Sequence, residues 1–109
     1  MYKRQDLLNV NNKKVSLNSI QEEVSLYYNL KISDMTSSRR SISIARPRQI
    51  AMYLCKDITS NSYPEIGKAF GGKDHTTVIH AVKKVRSLLM QDHNIQNQIK
   101  ILKKLIINP

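Results

Sequence analysis

Apolar residues recur at helical spacing through most of the chain, and nowhere do they alternate long enough to predict a strand. Ile20, Val24 and Tyr27/Tyr28 fall at i, i+4 and i+7/8, one face of a helix. Ahead of them Ser19-Ile20-Gln21-Glu22 has the form of a capping box, in which each side chain accepts a hydrogen bond from the other residue's free backbone amide. Ser33 is expected to cap a short turn through Asp34, Met35 and Thr36. A longer helix is expected from Ile44 to about Ile58, with Ile50, Leu54 and Ile58 on one face and Ala51 and Met52 beside it. Pro47 is then confined to its first turn, where no intrahelical N–H is required.

Ser62-Tyr63-Pro64-Glu65 is a second capping box, opening a short helix that carries Ile66, Ala69 and Phe70. Gly71-Gly72 predicts its end, because glycine tolerates the positive φ that follows a helix. Asp74 is placed to cap the next helix, which runs to about Gln91. Val78, Val82, Val85 and Leu89 lie within about 60° of one another on that helix, and Thr76, Thr77, His80, Lys83 and Lys84 fall opposite. Ile95, Ile99, Leu102 and Leu105/Ile106 mark a last amphipathic helix. Residues 1–17 are polar and weakly periodic, and are expected to form a linker before a single domain over 18–109.

Charge adds a partner class. The 109 residues carry 18 Lys+Arg against 8 Asp+Glu, a net +10, which favours polyanions: nucleic acid first, an anionic membrane surface second. The excess is patterned. Arg39, Arg40, Arg46 and Arg48 fall within residues 39–48 without an acid. Lys73, Lys83, Lys84 and Arg86 oppose only Asp74 in 73–86. A lone Cys55 excludes an internal disulfide framework and fits a reducing compartment. No apolar run is long enough to span a bilayer, and the N-terminus lacks a secretory signal, so a cytoplasmic location is expected.

Three sharper chemistries fail on their own requirements. Gly67 to Lys73 matches the GxxxxGK part of a phosphate loop, but Asp74 follows in place of Ser/Thr and no strand precedes it. His75 and His80 are separated by about 140° around a helix, and no HExxH or CxxC pairing exists for a metal. No local signature of a catalytic triad appears, and an enzyme is not expected. A short capped helix, a glycine turn and a longer helix with a polar face instead describe a helix-turn-helix, although a plain corner between two helices has the same spacing. In the motif the second helix enters the major groove. Its first residues, Asp74, His75, Thr76 and Thr77, have base-reading chemistry: Asp accepts from cytosine, Thr offers a methyl and a hydroxyl, and His donates or accepts. A second use of the charge is a weak contact with anionic membrane through Lys100, Lys103 and Lys104 beside Ile99, Leu102 and Ile106.

The runs Ala45-Arg46-Pro47-Arg48-Gln49-Ile50-Ala51-Met52-Tyr53-Leu54, Pro64-Glu65-Ile66-Gly67 and Phe70-Gly71-Gly72-Lys73-Asp74-His75-Thr76-Thr77-Val78-Ile79-His80-Ala81 strongly resemble the DnaA family of bacterial replication initiators. The resemblance covers about residues 18–92 and falls on the family's C-terminal origin-binding domain. It implies an all-α, Trp-repressor-like helix-turn-helix domain that binds short duplex repeats, the DnaA boxes. It further implies that Asp74, His75, Thr76 and Thr77 contact bases in the major groove and that Arg40 enters the adjacent minor groove. Arg48, Gln49, Lys56 and Pro64 match positions on the DNA backbone side, to which Lys73 and Lys83 add charge. No cofactor is expected in this chain, since ATP belongs to an upstream ATPase module of the family. The resemblance departs at Lys73, where the family usually has arginine, and at Ser38 and Ile42, where basic residues often stand.

Overall fold

The structure, a computed structural model, describes residues 15–108. In chain order these form α1 (Leu17–Tyr27), a 3-10 turn (Ile32–Met35), α2 (Ile42–Ile58), α3 (Tyr63–Ala69), α4 (His75–Gln91) and α5 (His93–Ile107). No strand occurs among the described residues, in line with the all-α expectation. The helix α2 is the spine. Both α1 and α4 pack along it, α3 packs on α4, and α5 closes the bundle mainly against α1. Ile20 and Val24 of α1, Ile50 and Leu54 of α2, Ile66 of α3, and Val78, Val82 and Val85 of α4 are fully buried together with Met35, Phe70 and Leu102. Each such side chain stabilises the fold by about 1.5–3 kcal/mol relative to exposure.

The first helix starts earlier than Ser19. Ser16 is its N-cap: its hydroxyl accepts from the Ser19 amide at 3.0 Å, while the Ser19 hydroxyl accepts from the Ser16 amide at 3.1 Å. Ser19 therefore plays the part assigned to Glu22, which instead accepts from Asn18 Nδ2 at 3.2 Å. The physical reason is burial, because Val15 and Leu17 pack on the core and extend the apolar face by a turn. The expected linker over 1–17 thus gives up residues 15–17 to the domain, and residues 1–14 lie outside the described residues. Asn29, in the left-handed region at φ 58°, ends α1 and lets the Leu30 amide donate back to the Ser25 carbonyl at 2.8 Å.

Two further boundaries move. The 3-10 turn is capped at Lys31, whose amide donates to Asp34 Oδ2 at 3.1 Å, and not at Ser33. The spine helix begins at Ile42, so Pro47 lies inside it and not in its first turn. The missing N–H leaves the Ser43 carbonyl without a helical donor, which is tolerable because Ser43 is exposed to water. The second capping box is as expected. Ser62 Oγ accepts from the Glu65 amide at 3.3 Å and Glu65 Oε1 accepts from the Ser62 amide at 2.7 Å.

On α5 the residues Ile95, Ile99, Leu102 and Ile106 are buried and Leu105 is exposed. That corrects the membrane face drawn from the sequence: Ile99, Leu102 and Ile106 are spent on the core, and Lys103 is paired with Asp57 at 2.7 Å. No helix among the described residues is long and apolar enough to cross a membrane. Cys55 and Met52 are core residues, and burial pushes the Cys55 thiol up to about 12.

Candidate nucleic-acid interface

The turn between α3 and α4 is built on close backbone approach. Gly71 and Gly72 adopt φ of 89° and 76°, the left-handed region that favours glycine. The Lys73 amide donates to the Gly67 carbonyl at 2.8 Å, folding the turn back onto α3. A Cβ on Gly67 would stand 2.2 Å from the Lys73 carbonyl oxygen, so this position needs glycine although its own φ does not. Sequence reasoning missed that role: Gly67 enters it as part of a phosphate loop and of a family motif, not as a close backbone approach. From the other side of the motif, the buried Gln21 of α1 donates its amide to the Ala69 carbonyl at 3.0 Å and serves a free acceptor at the end of α3.

The start of α4 is turned outward. Asp74 is its N-cap by backbone geometry, yet its side chain makes no capping hydrogen bond. The carboxylate remains exposed, with Oδ1 3.6 Å from Nδ1 of His75, which is also exposed. Thr76 and Thr77 are exposed as well, and the next residue, Val78, is fully buried. Four polar side chains therefore project from a helix end anchored in the core immediately behind them.

Beside this end runs a cleft of about 450 Å³ between α2 and α4, lined by Arg48, Gln49, Lys73, Thr77, His80 and Lys84 among others. Gln49 Oε1 accepts from Arg46 Nε at 3.0 Å, which leaves the Gln49 amide hydrogens free to donate outward. Arg48, expected on the DNA backbone side, has much of its hydrogen bonding inside the protein. It is buried, and its guanidinium donates to the Asp34 carbonyl at 3.0 Å, to Ser37 Oγ at 3.2 Å and to the Arg39 carbonyl. Lys73 Nζ likewise donates to the Phe70 carbonyl at 2.9 Å and the Thr36 carbonyl at 3.2 Å. Burial lowers the pKa of both cations, and Arg48 lowers that of Lys73 further.

The structure thus brings Arg48, Gln49, Lys73 and Thr77 to one cleft. His80 and Lys84 join it, and the i, i+3, i+7 spacing from Thr77 is the signal that places them there. Arg40 is exposed on the loop before α2, and Lys83 is exposed on α4. Lys56 and Pro64 belong to the corner between α2 and α3, outside the cleft. Lys56 Nζ donates to the Asn61 carbonyl at 3.3 Å and lies 4.6 Å from the centroid of the Tyr63 ring, so much of its bonding is local.

The capped α3, the positive-φ turn and the outward-facing start of α4 define a helix-turn-helix domain. The family model described as bacterial dnaA protein helix-turn-helix matches residues 17–85. The chain belongs to this family. It is 52% identical over 101 residues to the chromosomal replication initiator protein DnaA of Ehrlichia ruminantium, covering 93% of this chain and 22% of that protein. The protein of the same name from Psychromonas ingrahamii is 53% identical over 97 residues, covering 89% of this chain and 21% of that protein. The chain therefore spans about a fifth of the length of the curated relatives it matches. A solved structure of a DNA replication initiation factor superimposes with a TM-score of 0.76 at 38% identity, over 84% of this chain and 28% of that one.

Proposed function

We propose that this chain binds duplex DNA sequence-specifically at origin repeats of the DnaA-box type, as the DNA-binding portion of a chromosomal replication initiator in the bacterial cytoplasm. The observation that carries the reading is the exposed Asp74–Thr77 segment, anchored by buried Val78 and bordered by a cationic cleft. In this reading Asp74, His75, Thr76 and Thr77 meet base edges in the major groove, and Arg40 reaches the neighbouring minor groove, whose negative potential attracts a guanidinium where A·T pairs narrow it. Gln49, Lys83 and the α4 amide end hold phosphates and fix register. The names of the relatives support a role in replication initiation. The domain acts by binding and not by catalysis. ATP, in the same reading, is handled by an ATPase module elsewhere in a longer protein.

Fluorescence anisotropy on a duplex containing a DnaA box and on a scrambled duplex, across a salt series, tests this. Specific binding appears as a preference for the box at every salt, with both affinities falling as salt rises. Equal affinity for the two duplexes throughout would contradict it. Vesicles of anionic lipid provide the comparison for the membrane reading, and tighter binding to them than to either duplex would favour that alternative.

A further inference from the structure

The loop between the 3-10 turn and α2 carries the exposed pair Arg39-Arg40, yet it has little packing of its own: Thr36, Ser38, Arg39, Arg40 and Ser41 are all exposed. Its backbone is held instead by two cations reaching it from different elements. Arg48 comes from α2 and spans from the Asp34 carbonyl to the Arg39 carbonyl, taking Ser37 Oγ on the way. Lys73 comes from the helix-turn-helix turn and bridges the Thr36 carbonyl to the Phe70 carbonyl. At the same place the absent side chain of Gly71 admits Thr36, since a Cβ there would lie 2.5 Å from the Thr36 oxygen. The loop is thereby tied both to the spine and to the turn that launches α4.

We propose that Arg48 and Lys73 are positioning residues, which fix the Arg39-Arg40 loop relative to the start of α4 so that the two are presented to one duplex in a set register. This rests on the DNA reading above and deepens it. Two cations that point at backbone carbonyls have spent most of their donors inside the protein, whereas a phosphate contact needs donors aimed at solvent. Holding two like charges this close is unfavourable, and the five hydrogen bonds to loop and turn acceptors offset it. The forked guanidinium also matters. Its two terminal nitrogens hold three acceptors at once, the Asp34 carbonyl, Ser37 Oγ and the Arg39 carbonyl, from a fixed planar fork that a lysine ammonium at the same position does not reproduce.

The test is Arg48→Lys in the full 109-residue chain, because lysine keeps the charge and loses the fork. Binding is measured on the box duplex, on the scrambled duplex, and on a box in which diaminopurine replaces adenine at the minor-groove end, adding an amino group to that groove alone. The wild type loses affinity on diaminopurine by about tenfold. Arg48→Lys is weakened on the ordinary box by about the same factor and gains no further loss from diaminopurine, while its salt slope is unchanged. Amide exchange at Ser38–Arg40 in the free protein speeds up. Wild-type behaviour of Arg48→Lys, or equal weakening on box and scrambled duplexes with the diaminopurine penalty intact, overturns the proposal. Lys73→Met is measured in parallel and carries the same expectations should Arg48→Lys fail to fold by circular dichroism. If the wild type shows no box preference, the DNA reading fails, and unchanged exchange in the loop is then the separate result that sinks the clamp.

Discussion

Gly71 in the turn and Thr36 in the preceding loop approach so closely that a side chain on Gly71 would place its Cβ 2.5 Å from the Thr36 carbonyl oxygen and 3.2 Å from the Thr36 Cβ. Residues 35 apart in sequence thus share one small volume, and the helix-turn-helix is braced from outside its own helices.

Substitution at the three glycines separates two physical costs. Gly72→Ala meets open space, so only its positive φ counts, and a loss of about 1 kcal/mol is expected. Gly71→Ala adds a clash with backbone that cannot rotate away and is expected to cost about 2–3 kcal/mol. Gly67→Ala, with its Cβ 2.2 Å from the Lys73 oxygen, belongs with Gly71 despite an ordinary helical φ. Urea unfolding of the three variants gives the order directly, and equal losses at all three would contradict it.

The capping box on α3 has a pH signature. Ser62→Ala is expected to destabilise the domain by about 1 kcal/mol in denaturant unfolding. The Glu65 carboxyl is held below its usual range, chiefly by the Ser62 amide and then by the Asn61 side chain. A depressed folded pKa means that its contribution is complete above the unfolded value, about pH 4.3, and is lost as pH falls through the folded value. Glu65→Gln should therefore flatten the acid side of the Tm profile in that window, and an unaltered acid limb would count against the assignment.

Alkaline conditions probe the core. Burial pushes the Cys55 thiol up to about 12, and burial together with Tyr27 raises the Tyr28 hydroxyl, which donates to Gln98 Oε1 at 2.6 Å, to about 12. In the unfolded chain these groups ionise near their ordinary values, about 8.5 and about 10, so stability falls as pH rises above each. Cys55→Ala removes the part of the loss that begins near the lower value, as read by unfolding midpoints across the alkaline range. In the native protein a thiol reagent should label Cys55 only as fast as the domain opens.

The pair Lys103–Asp57 joins α5 to the last turn of α2 at 2.7 Å, but both side chains are about 40% exposed. Asp57→Asn is accordingly expected to cost less than about 1 kcal/mol, and less still at high salt, in thermal unfolding. A larger, salt-insensitive loss would mean that the pair is more shielded from solvent than its exposure shows.

The helix-turn-helix was legible because its signals are local: Ser62 and Glu65 at capping spacing, two adjacent glycines, and Val78, Val82 and Val85 on one face. The start of α1 was misplaced because Ser16-Ser19 and Ser19-Glu22 both have capping-box spacing, and only the burial of Val15 and Leu17 decides between them. Pro47 drew the start of α2 toward itself, since the tolerance of the exposed Ser43 carbonyl is not written in residue types. The roles of Arg48, Lys73 and Gly67 were out of reach for a related reason. Their partners are mostly backbone carbonyls, which every residue carries and no sequence pattern marks.

In the proposed function the first residues of α4 read bases while the surrounding cations supply affinity. The direct measurement is the ratio of affinities for the box and scrambled duplexes in Thr76→Ala and Lys83→Ala at fixed salt. Thr76→Ala is expected to lose about 1–3 kcal/mol on the box and little on the scrambled duplex, collapsing the ratio. Lys83→Ala should weaken both alike, preserve the ratio and reduce the salt slope by about one. A Thr76→Ala variant that binds both duplexes less tightly by the same factor would contradict the account.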